Sequence, residues 1–321
     1  MKGKIFIFKI ILFGSLNLGI LAGLLWYFSG QHRDIHLSYD ESESNLLVIG
    51  ENKHYPVVLL GTSRGRVFSR DGNHAMVEQI LEGKVANLSK GGGGGLMPAE
   101  VHLSYFFNRG NTVDHVIYLV DPWVFFSAIN NEDNDFFLRD EPFELFIFWK
   151  LITDRFPSDR IFSYLQMIAV TDWKKISRYA APGLTEGTLQ KIDAIKLEEA
   201  RQHYLSKYDL NNFDKYSGKV NAINQLVKKN RARITYVMLP LLMPDFPGLS
   251  EVDKLLTETA SREKGVMYYN CASCVQDKQF YYDHMHFNKS GIDFFTRNCL
   301  YPILHRKAPA LDGIYFSVGD D

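Results

Sequence analysis

Short apolar runs separated by segments of helical spacing constrain the fold of this chain more than any other feature. They are residues 56–60, 85–88, 116–120, 234–239 and 266–269. Because these runs are short and rich in β-branched residues, each predicts a buried strand. Strands that alternate with helices form a parallel sheet with helices on both faces. The sequence therefore predicts an α/β fold of three layers, α/β/α, in which functional residues gather at the carboxyl ends of the strands.

The segments between these runs predict the helices that would cover the sheet, at residues 75–83, 98–108, 217–230, 252–264 and 290–304. From about 124 to 216 the chain is rich in aromatic residues and has no regularly spaced short strands, which indicates a helical insertion rather than a separate domain. We therefore expect a linker or a peripheral strand at 31–55, one domain at 56–305 that carries the insertion, and a C-terminal tail at 306–321.

Residues 10–28 form an apolar segment of nineteen positions without a charged side chain. A helix of roughly 20 residues crosses the hydrocarbon core of a bilayer. Three lysines precede the segment, and such a short basic leader stays on the cytoplasmic side. We predict that residues 1–30 are a cytoplasmic leader and a transmembrane anchor, with the rest of the chain outside the cytoplasm. A cleaved signal peptide is the alternative, although Trp26 and Tyr27 make a poor approach to a cleavage site.

The balance of charge and the cysteine count exclude several classes of function. The 321 residues include 36 basic and 37 acidic side chains, for a formal net charge of −1, so no global field would attract nucleic acid. Three cysteines are too few for a disulfide framework. Cys271 and Cys274 form a CxxC pair that we interpret as two loop cysteines, which can be disulfide-bonded outside the cytosol. One CxxC offers too few ligands for zinc, and we predict neither a metal nor a cofactor.

A serine and a downstream Asp–His pair predict nucleophilic chemistry. Ser63 directly follows the first predicted strand, where a tight turn would present its hydroxyl at the edge of the sheet. Alone, the serine also fits a helix N-cap. Asp283 and His286 lie three residues apart in one predicted loop about 220 positions later. A serine nucleophile needs an imidazole to take its proton and a carboxylate to orient that imidazole, so the three residues predict a catalytic triad.

The patterns around these residues are Gly-x-Ser after the first strand and Asp-x-x-His-(apolar)-Asn-x-x-Gly before the last helix. They resemble the first and last blocks of the SGNH/GDSL hydrolase superfamily. The resemblance implies that Ser63 is the nucleophile, His286 the general base and acid, and Asp283 the orienting carboxylate. It also implies an oxyanion hole made by the backbone amides of Ser63 and Gly92, with Gly91 as a neighbour. A flexible loop is the alternative interpretation of the glycine run at 91–95.

The third block of that superfamily is replaced in this chain. The family usually has an Asn after the strand that ends at Val120, whereas this sequence has Asp121. An ionised aspartate cannot donate a hydrogen bond to an oxyanion and would repel it. Either the amides alone form the hole, or another donor moves in. We also consider Arg64, Asp121 and Trp123 as substrate-binding residues, with a solvated surface arginine and core packing of the tryptophan as the alternatives.

His284 lies between the two downstream triad residues and suggests a metal site with His286, Asp283 and His54. Histidines two apart in a loop are weak support for a metal. A solvent-facing loop histidine is the better interpretation.

The replaced block resembles one branch of the superfamily, the membrane-anchored SGNH-like proteins of cell-envelope polymer modification, such as those of alginate acetylation and teichoic-acid D-alanylation. This resemblance implies an acyltransferase that acts on a polysaccharide outside the cytoplasm, often with a membrane-bound O-acyltransferase as partner. The alternatives are an esterase or deacetylase that hydrolyses acyl esters, and a non-catalytic scaffold of a polysaccharide-modifying complex.

Overall fold

The structure, a computed structural model, describes residues 2–31, 35–134, 136–169, 183–242, 246–307 and 315–318. Within this part of the chain, a six-stranded sheet forms the centre of an α/β fold. Its strands are β1 (His54–Leu60), β2 (Val85–Asn87), β3 (Thr112–Val120), β4 (Arg233–Met238), β5 (Val266–Asn270) and β6 (Tyr315–Val318). Across the sheet the order is β2-β1-β3-β4-β5-β6, with β1 to β5 parallel and β6 antiparallel to β5.

Helices precede the sheet and connect its strands. In chain order they are α1 (Lys2–Gln31), α2 (Asn45–Val48), α3 (Ser63–Arg66), α4 (Asn73–Ile80), α5 (Leu96–Asn108), α6 (Ala128–Asn131), α7 (Phe136–Arg139), α8 (Leu145–Thr153), α9 (Ser158–Gln166), α10 (Ala194–Leu205), α11 (Leu210–Lys229), α12 (Leu249–Arg262), α13 (Lys289–Phe295) and α14 (Tyr301–Leu304). A π-helical turn, Thr296–Leu300, joins the last two. The predicted insertion at about 124–216 contains helices and no strand wherever the structure describes it. Its residues 170–182 lie outside the described part of the chain.

The sheet is packed on both faces, which explains why its strands are continuous apolar runs. Side chains alternate along β1, so that Val58 and Leu60 belong to one buried cluster while Val57 and Leu59 belong to another. Helices α5, α11 and α12 contribute to the first cluster, and α4 and α13 contribute to the second. Each fully buried aliphatic side chain of this kind stabilises the fold by about 1.5–3 kcal/mol relative to exposure.

The five predicted strands are confirmed as the parallel part of the sheet, and the structure differs from the prediction at the start of β3 and in having β6. Strand β3 begins at Thr112, four residues before the predicted start at 116. The prediction missed these residues because they alternate between exposed and buried and so do not form an apolar run. Strand β6 lies in the region that we predicted to be a tail. It pairs with β5 at the sheet edge, where Val318 is opposite Met267. One edge strand without a following helix is difficult to distinguish from a tail by pattern alone.

The segment predicted as a linker differs from that expectation, because its residues pack into the domain. Ser42, Ser44 and Asn45 are fully buried. The backbone amide of Asn45 donates to Oε1 of Glu141 at 2.9 Å, and Nε of Arg66 donates to the neighbouring Glu43 at 3.2 Å. A polar segment can be buried when its groups find hydrogen-bonding partners, and the sequence pattern does not reveal such pairing.

Helix α1 carries the predicted anchor. Its stretch Gly3–Gln31 has a mean hydropathy of 2.2 in its most apolar window, none of which is buried. Its length and composition are therefore sufficient to cross a membrane. The flanking residues 32–34 lie outside the described part of the chain.

Candidate active site

Loops at the carboxyl ends of three adjacent strands meet at one edge of the sheet. Strand β2 lies on one side of β1 and strand β3 on the other, so the chain changes its direction of strand addition at β1. Parallel sheets bind ligands at such a switch point, because the loops leaving it diverge and open a crevice. Ser63 follows β1, the glycine run follows β2, and Asp121 follows β3. The predicted site residues therefore lie where this type of sheet places a site.

The three residues of the predicted triad are within hydrogen-bonding distance of one another. Oγ of Ser63 lies 2.9 Å from Nε2 of His286. On the other side of the ring, Nδ1 lies 2.9 Å from Oδ2 and 3.0 Å from Oδ1 of Asp283. A carboxylate only accepts, so Nδ1 carries the proton and Nε2 is left to accept from the serine hydroxyl. This is the proton arrangement that a serine nucleophile requires, although the catalytic role of the three residues stays a prediction.

Backbone and ring contacts fix the Asp–His loop. Oδ1 of Asp283 accepts the backbone amides of Met285 at 2.7 Å and His286 at 2.8 Å. Burial alone would raise the pKa of Asp283, but its hydrogen bonds with His286 and these amides lower that pKa below its usual value. Tyr282 stacks on the imidazole, with ring centroids 5.4 Å apart and an angle of 8° between planes. The carboxylate is thus ionised at neutral pH and the imidazole has one orientation.

Arg64 joins the turn of the serine to the loop of the histidine. Its Nη1 donates to Oδ1 of Asp121 at 2.6 Å, and its Nε donates to the carbonyl oxygen of Met285 at 2.8 Å. Its Nη2 donates to the carbonyl of Pro240, at the end of β4. Thr62 donates its hydroxyl to the other oxygen of Asp121. One guanidinium therefore connects the ends of β3 and β4 to the residue before the predicted base.

These contacts bear on the predicted substrate-binding roles of Arg64 and Asp121. Their side chains are 3% and 0% exposed, and both are engaged inside the protein. Burial raises the pKa of Asp121, although the Arg64 charge and the hydrogen bond from Thr62 oppose that shift. The structure thus gives Asp121 a cationic partner, which offsets the repulsion that an unpaired carboxylate would exert on an oxyanion. A structural role accounts for both residues without any contact to a substrate.

The glycine run is held against the serine turn by hydrogen bonds. The backbone amide of Lys90, just before the run, donates to the carbonyl of Gly61 at 3.0 Å. The side chain of Asn134 donates to the carbonyl of Gly92 at 2.6 Å. At Gly94 a Cβ atom would lie 2.5 Å from the Gly61 oxygen, so no larger residue fits without a backbone shift. Residues 93–95 are therefore closely packed, which does not match the flexible-loop interpretation, whereas Gly92 is exposed.

Two backbone amides at this point are available to a ligand. Ser63 is the first residue of α3, so its N–H has no acceptor within the helix. Gly92 has a φ of +77°, and no group in the described part of the chain accepts a hydrogen bond from its amide. Ser63, Gly92 and Gly93 line one cleft, whereas Gly91, the predicted neighbour, is not among the described residues that line it. The amides of Ser63 and Gly92 are thus placed where the predicted oxyanion hole needs donors, and the hole itself stays a prediction.

A cleft of about 230 Å³ opens beside Ser63. Trp123 lines it and is 8% exposed, with its ring centroid 5.0 Å from that of Tyr204. Asn130 and Lys207 also line the cleft. Sequence reasoning identified Trp123 but missed the other three, which come from the helical insertion. No motif marks them, because their proximity to the serine depends on how the insertion folds over the sheet.

The disfavoured metal interpretation and the cysteine pair also have structural outcomes. Nε2 of His284 accepts a hydrogen bond from the backbone amide of Asp193 at 3.0 Å. His54 is the first residue of β1, at the end of the strand away from Ser63. No group of three potential metal ligands occurs among the described residues. Cys271 and Cys274 are both free; the thiol of Cys271 hydrogen-bonds with Cys274 and also lies 3.4 Å from the sulfur of Cys299.

No protein-family model matches this chain, and no curated protein matches it.

Proposed function

We propose that the protein is a membrane-anchored, extracytoplasmic serine O-acyltransferase that transfers an acyl group, such as acetyl, to hydroxyl groups of a cell-envelope polysaccharide or exopolysaccharide. The observation that carries the proposal is the hydrogen-bonded chain from Ser63 through His286 to Asp283. The strand order and the helices on both faces of the sheet support a doubly wound, three-layer α/β/α fold of the SGNH type. The N-terminal helix supports the anchor, and the lysines before the apolar segment support a cytoplasmic N-terminus.

The reaction would proceed through an acyl-enzyme. Oγ of Ser63 attacks the carbonyl carbon of an acyl ester while its proton passes to Nε2 of His286. The amides of Ser63 and Gly92 stabilise the oxyanion. When the intermediate collapses, the leaving alcohol takes the proton from Nε2. An acceptor hydroxyl then gives its proton to Nε2 and attacks the acyl-serine, and the serine oxygen takes that proton back from Nε2 as it leaves, so the acyl group moves to the acceptor.

The cleft supports an acceptor larger than water. Trp123 and Tyr204 supply aromatic surface beside the serine, and Asn130 and Lys207 add polar groups. Aromatic faces and hydrogen-bonding groups together suit a sugar ring, which has both apolar and hydroxyl-bearing surfaces. The acyl donor would come from a partner in the same membrane, and a membrane-bound O-acyltransferase is the class that the branch resemblance implies. No metal or organic cofactor takes part in this scheme.

Acyl transfer can be tested with the full chain in nanodiscs, a chromogenic acetyl ester as donor and an oligosaccharide as acceptor. We expect the acceptor to become acetylated, and we expect Ser63→Ala to abolish both ester cleavage and transfer. Ser261→Ala, at an exposed serine of α12, is the matched control and should keep full activity. Free acetate without acetylated acceptor would favour an esterase. Activity that survives Ser63→Ala would reject the serine mechanism, and neither product from the unsubstituted protein would favour the scaffold alternative.

A further inference from the structure

The helix pair α8 and α9 presents apolar side chains that nothing in the described part of the chain covers. Trp149, Ile152 and Phe162 are 56%, 39% and 62% exposed. Trp149 and Ile152 are three residues apart on α8 and so share one side of that helix. Phe162 belongs to α9, which packs against α8. We call these three exposed side chains, which lie on two helices that pack together, the apolar face; large exposed apolar side chains of this kind are typical of an interaction surface in a folded domain.

The apolar face begins where the N-terminal helix joins the domain. Leu25 and Ser29, in the last two turns of α1, are 8% and 2% exposed. Oγ of Ser29 donates to Oε2 of Glu144 at 3.0 Å and accepts the amide of Leu145 at 3.3 Å. Glu144 is the N-cap residue of α8. The exit of α1 is therefore fixed against the first turn of the helix that carries Trp149.

The distances along the helices place the apolar face at the level of the membrane surface. Trp26 and Tyr27, which are 73% and 56% exposed, lie on the same turns of α1 as the contact with α8. Aromatic side chains at this position mark the boundary between lipid and water. Trp149 follows the contact at Leu145 by four residues, or about 6 Å of helix at 1.5 Å per residue. A headgroup region is about 5–7 Å thick on each side of the hydrocarbon core, so this displacement keeps Trp149 within reach of it.

We infer that α8 and α9 lie on the outer surface of the bilayer, with the apolar face inserted among the lipid headgroups beside α1. This inference rests on the proposed membrane anchor. Lipid is the occupant that the structure favours, because α8 contacts the end of a helix whose own side chains, from Ile5 to Leu24, are exposed on every side. A bilayer that surrounds α1 necessarily reaches its neighbour. The contact would hold the cleft at a fixed height and orientation above the membrane.

Fluorescence quenching by brominated lipid tests this inference on the full chain. Each variant is reconstituted in nanodiscs of phosphatidylcholine with or without bromine atoms near the headgroup end of the acyl chains. Trp26→Phe removes the tryptophan of α1, and Trp149→Phe in that background removes the reporter while keeping an aromatic ring. Trp123 and Trp173 remain in both variants, so their emission cancels in the difference. We expect brominated lipid to quench the emission that depends on Trp149.

The control is Arg297→Trp in the variant that lacks both Trp26 and Trp149. Arg297 is exposed on the π-helical turn after α13, on the opposite face of the sheet, so its replacement should not be quenched. Equal fractional quenching with and without Trp149, while Trp26 itself is quenched, would reject lipid contact at α8. That outcome would leave the anchor intact and assign the apolar face to a protein partner. A Trp26 that brominated lipid does not quench would instead reject the anchor, and the inference with it.

Discussion

Asp121→Asn removes one negative charge from a fully buried carboxylate while keeping its size. In the structure, that carboxylate accepts from Nη1 of Arg64 at 2.6 Å and from the hydroxyl of Thr62. The guanidinium is 3% exposed, so water cannot replace the lost partner. Neutralising one member of a buried ion pair costs about 3–5 kcal/mol, and the remaining amide oxygen still accepts one bond. We therefore expect a loss near 3 kcal/mol, or about a 100-fold fall in the ratio of folded to unfolded protein.

The same substitution should also lower turnover. Arg64 donates to the carbonyl of Met285, the residue before His286. A guanidinium that has lost its counter-charge will shift, and a displacement of about 1 Å in a reacting geometry can cost roughly 100-fold in rate. We expect kcat for a chromogenic acetyl ester to fall at least about tenfold, with a smaller change in KM.

Urea unfolding of the full chain and ester turnover measure the two effects independently. With a denaturant slope of about 3 kcal/mol per molar, the expected loss lowers the midpoint by about 1 M. Adding Arg64→Met to Asp121→Asn should recover part of the stability, because no unpaired cation is then buried. Unchanged stability together with faster turnover would refute this reasoning, since Asp121 would then act by repelling the oxyanion.

Three other predictions follow from the structure. Gly94→Ala should lower both stability and turnover, because the new Cβ atom would lie 2.5 Å from a carbonyl oxygen. Gly218→Ala is the control: this glycine of α11 has open space around it, so alanine should raise the stability of the helix by up to about 1 kcal/mol and leave turnover unchanged. Asp283→Asn should reduce kcat by roughly 10³- to 10⁴-fold with little change in KM, since the imidazole loses the acceptor that fixes its tautomer. A fall in kcat of less than tenfold would argue against the triad. Burial lowers the pKa of His102 to about 4 and that of His115 to about 3. Below pH 6.5 the unfolded chain therefore binds more protons than the folded chain. The free energy of unfolding should fall by about 1.4 kcal/mol per pH unit for each histidine as the pH drops toward 4. His115→Gln should reduce that slope by about 1.4 kcal/mol per pH unit, and an equal slope in both proteins would contradict the assignment.

The parallel sheet could be predicted from the sequence because each strand is buried on both faces. Burial on both faces requires an apolar run, and an apolar run is visible without any structure. The first residues of β3 and the whole of β6 lack this signal, since one begins with an alternating pattern and the other is a single antiparallel strand at the edge. The buried segment before β1 was missed because its polar groups are satisfied by partners such as Glu141, about a hundred positions away.

The candidate site, too, could be predicted from the sequence only in part. Asp283 and His286 belong to one loop, so their spacing was sufficient to predict their contact, and Ser63 was predicted by its position after a strand. Arg64 is different, because its role depends on three acceptors that lie on separate loops. Asn130 likewise reaches the cleft only through the fold of the insertion. Contacts between distant segments carry no local pattern, which is why the sequence predicted the Ser–His–Asp group better than its surroundings.

The central claim is that Ser63 forms an acyl-enzyme with the help of His286. Intact-protein mass spectrometry of the full chain, quenched in acid shortly after mixing with an activated acetyl ester, tests this claim most directly. We predict an added mass of one acetyl group, located on the peptide that contains Ser63, which is absent from Ser63→Ala and strongly reduced in His286→Gln. No adduct in the unsubstituted protein, or an adduct that survives Ser63→Ala, would contradict it.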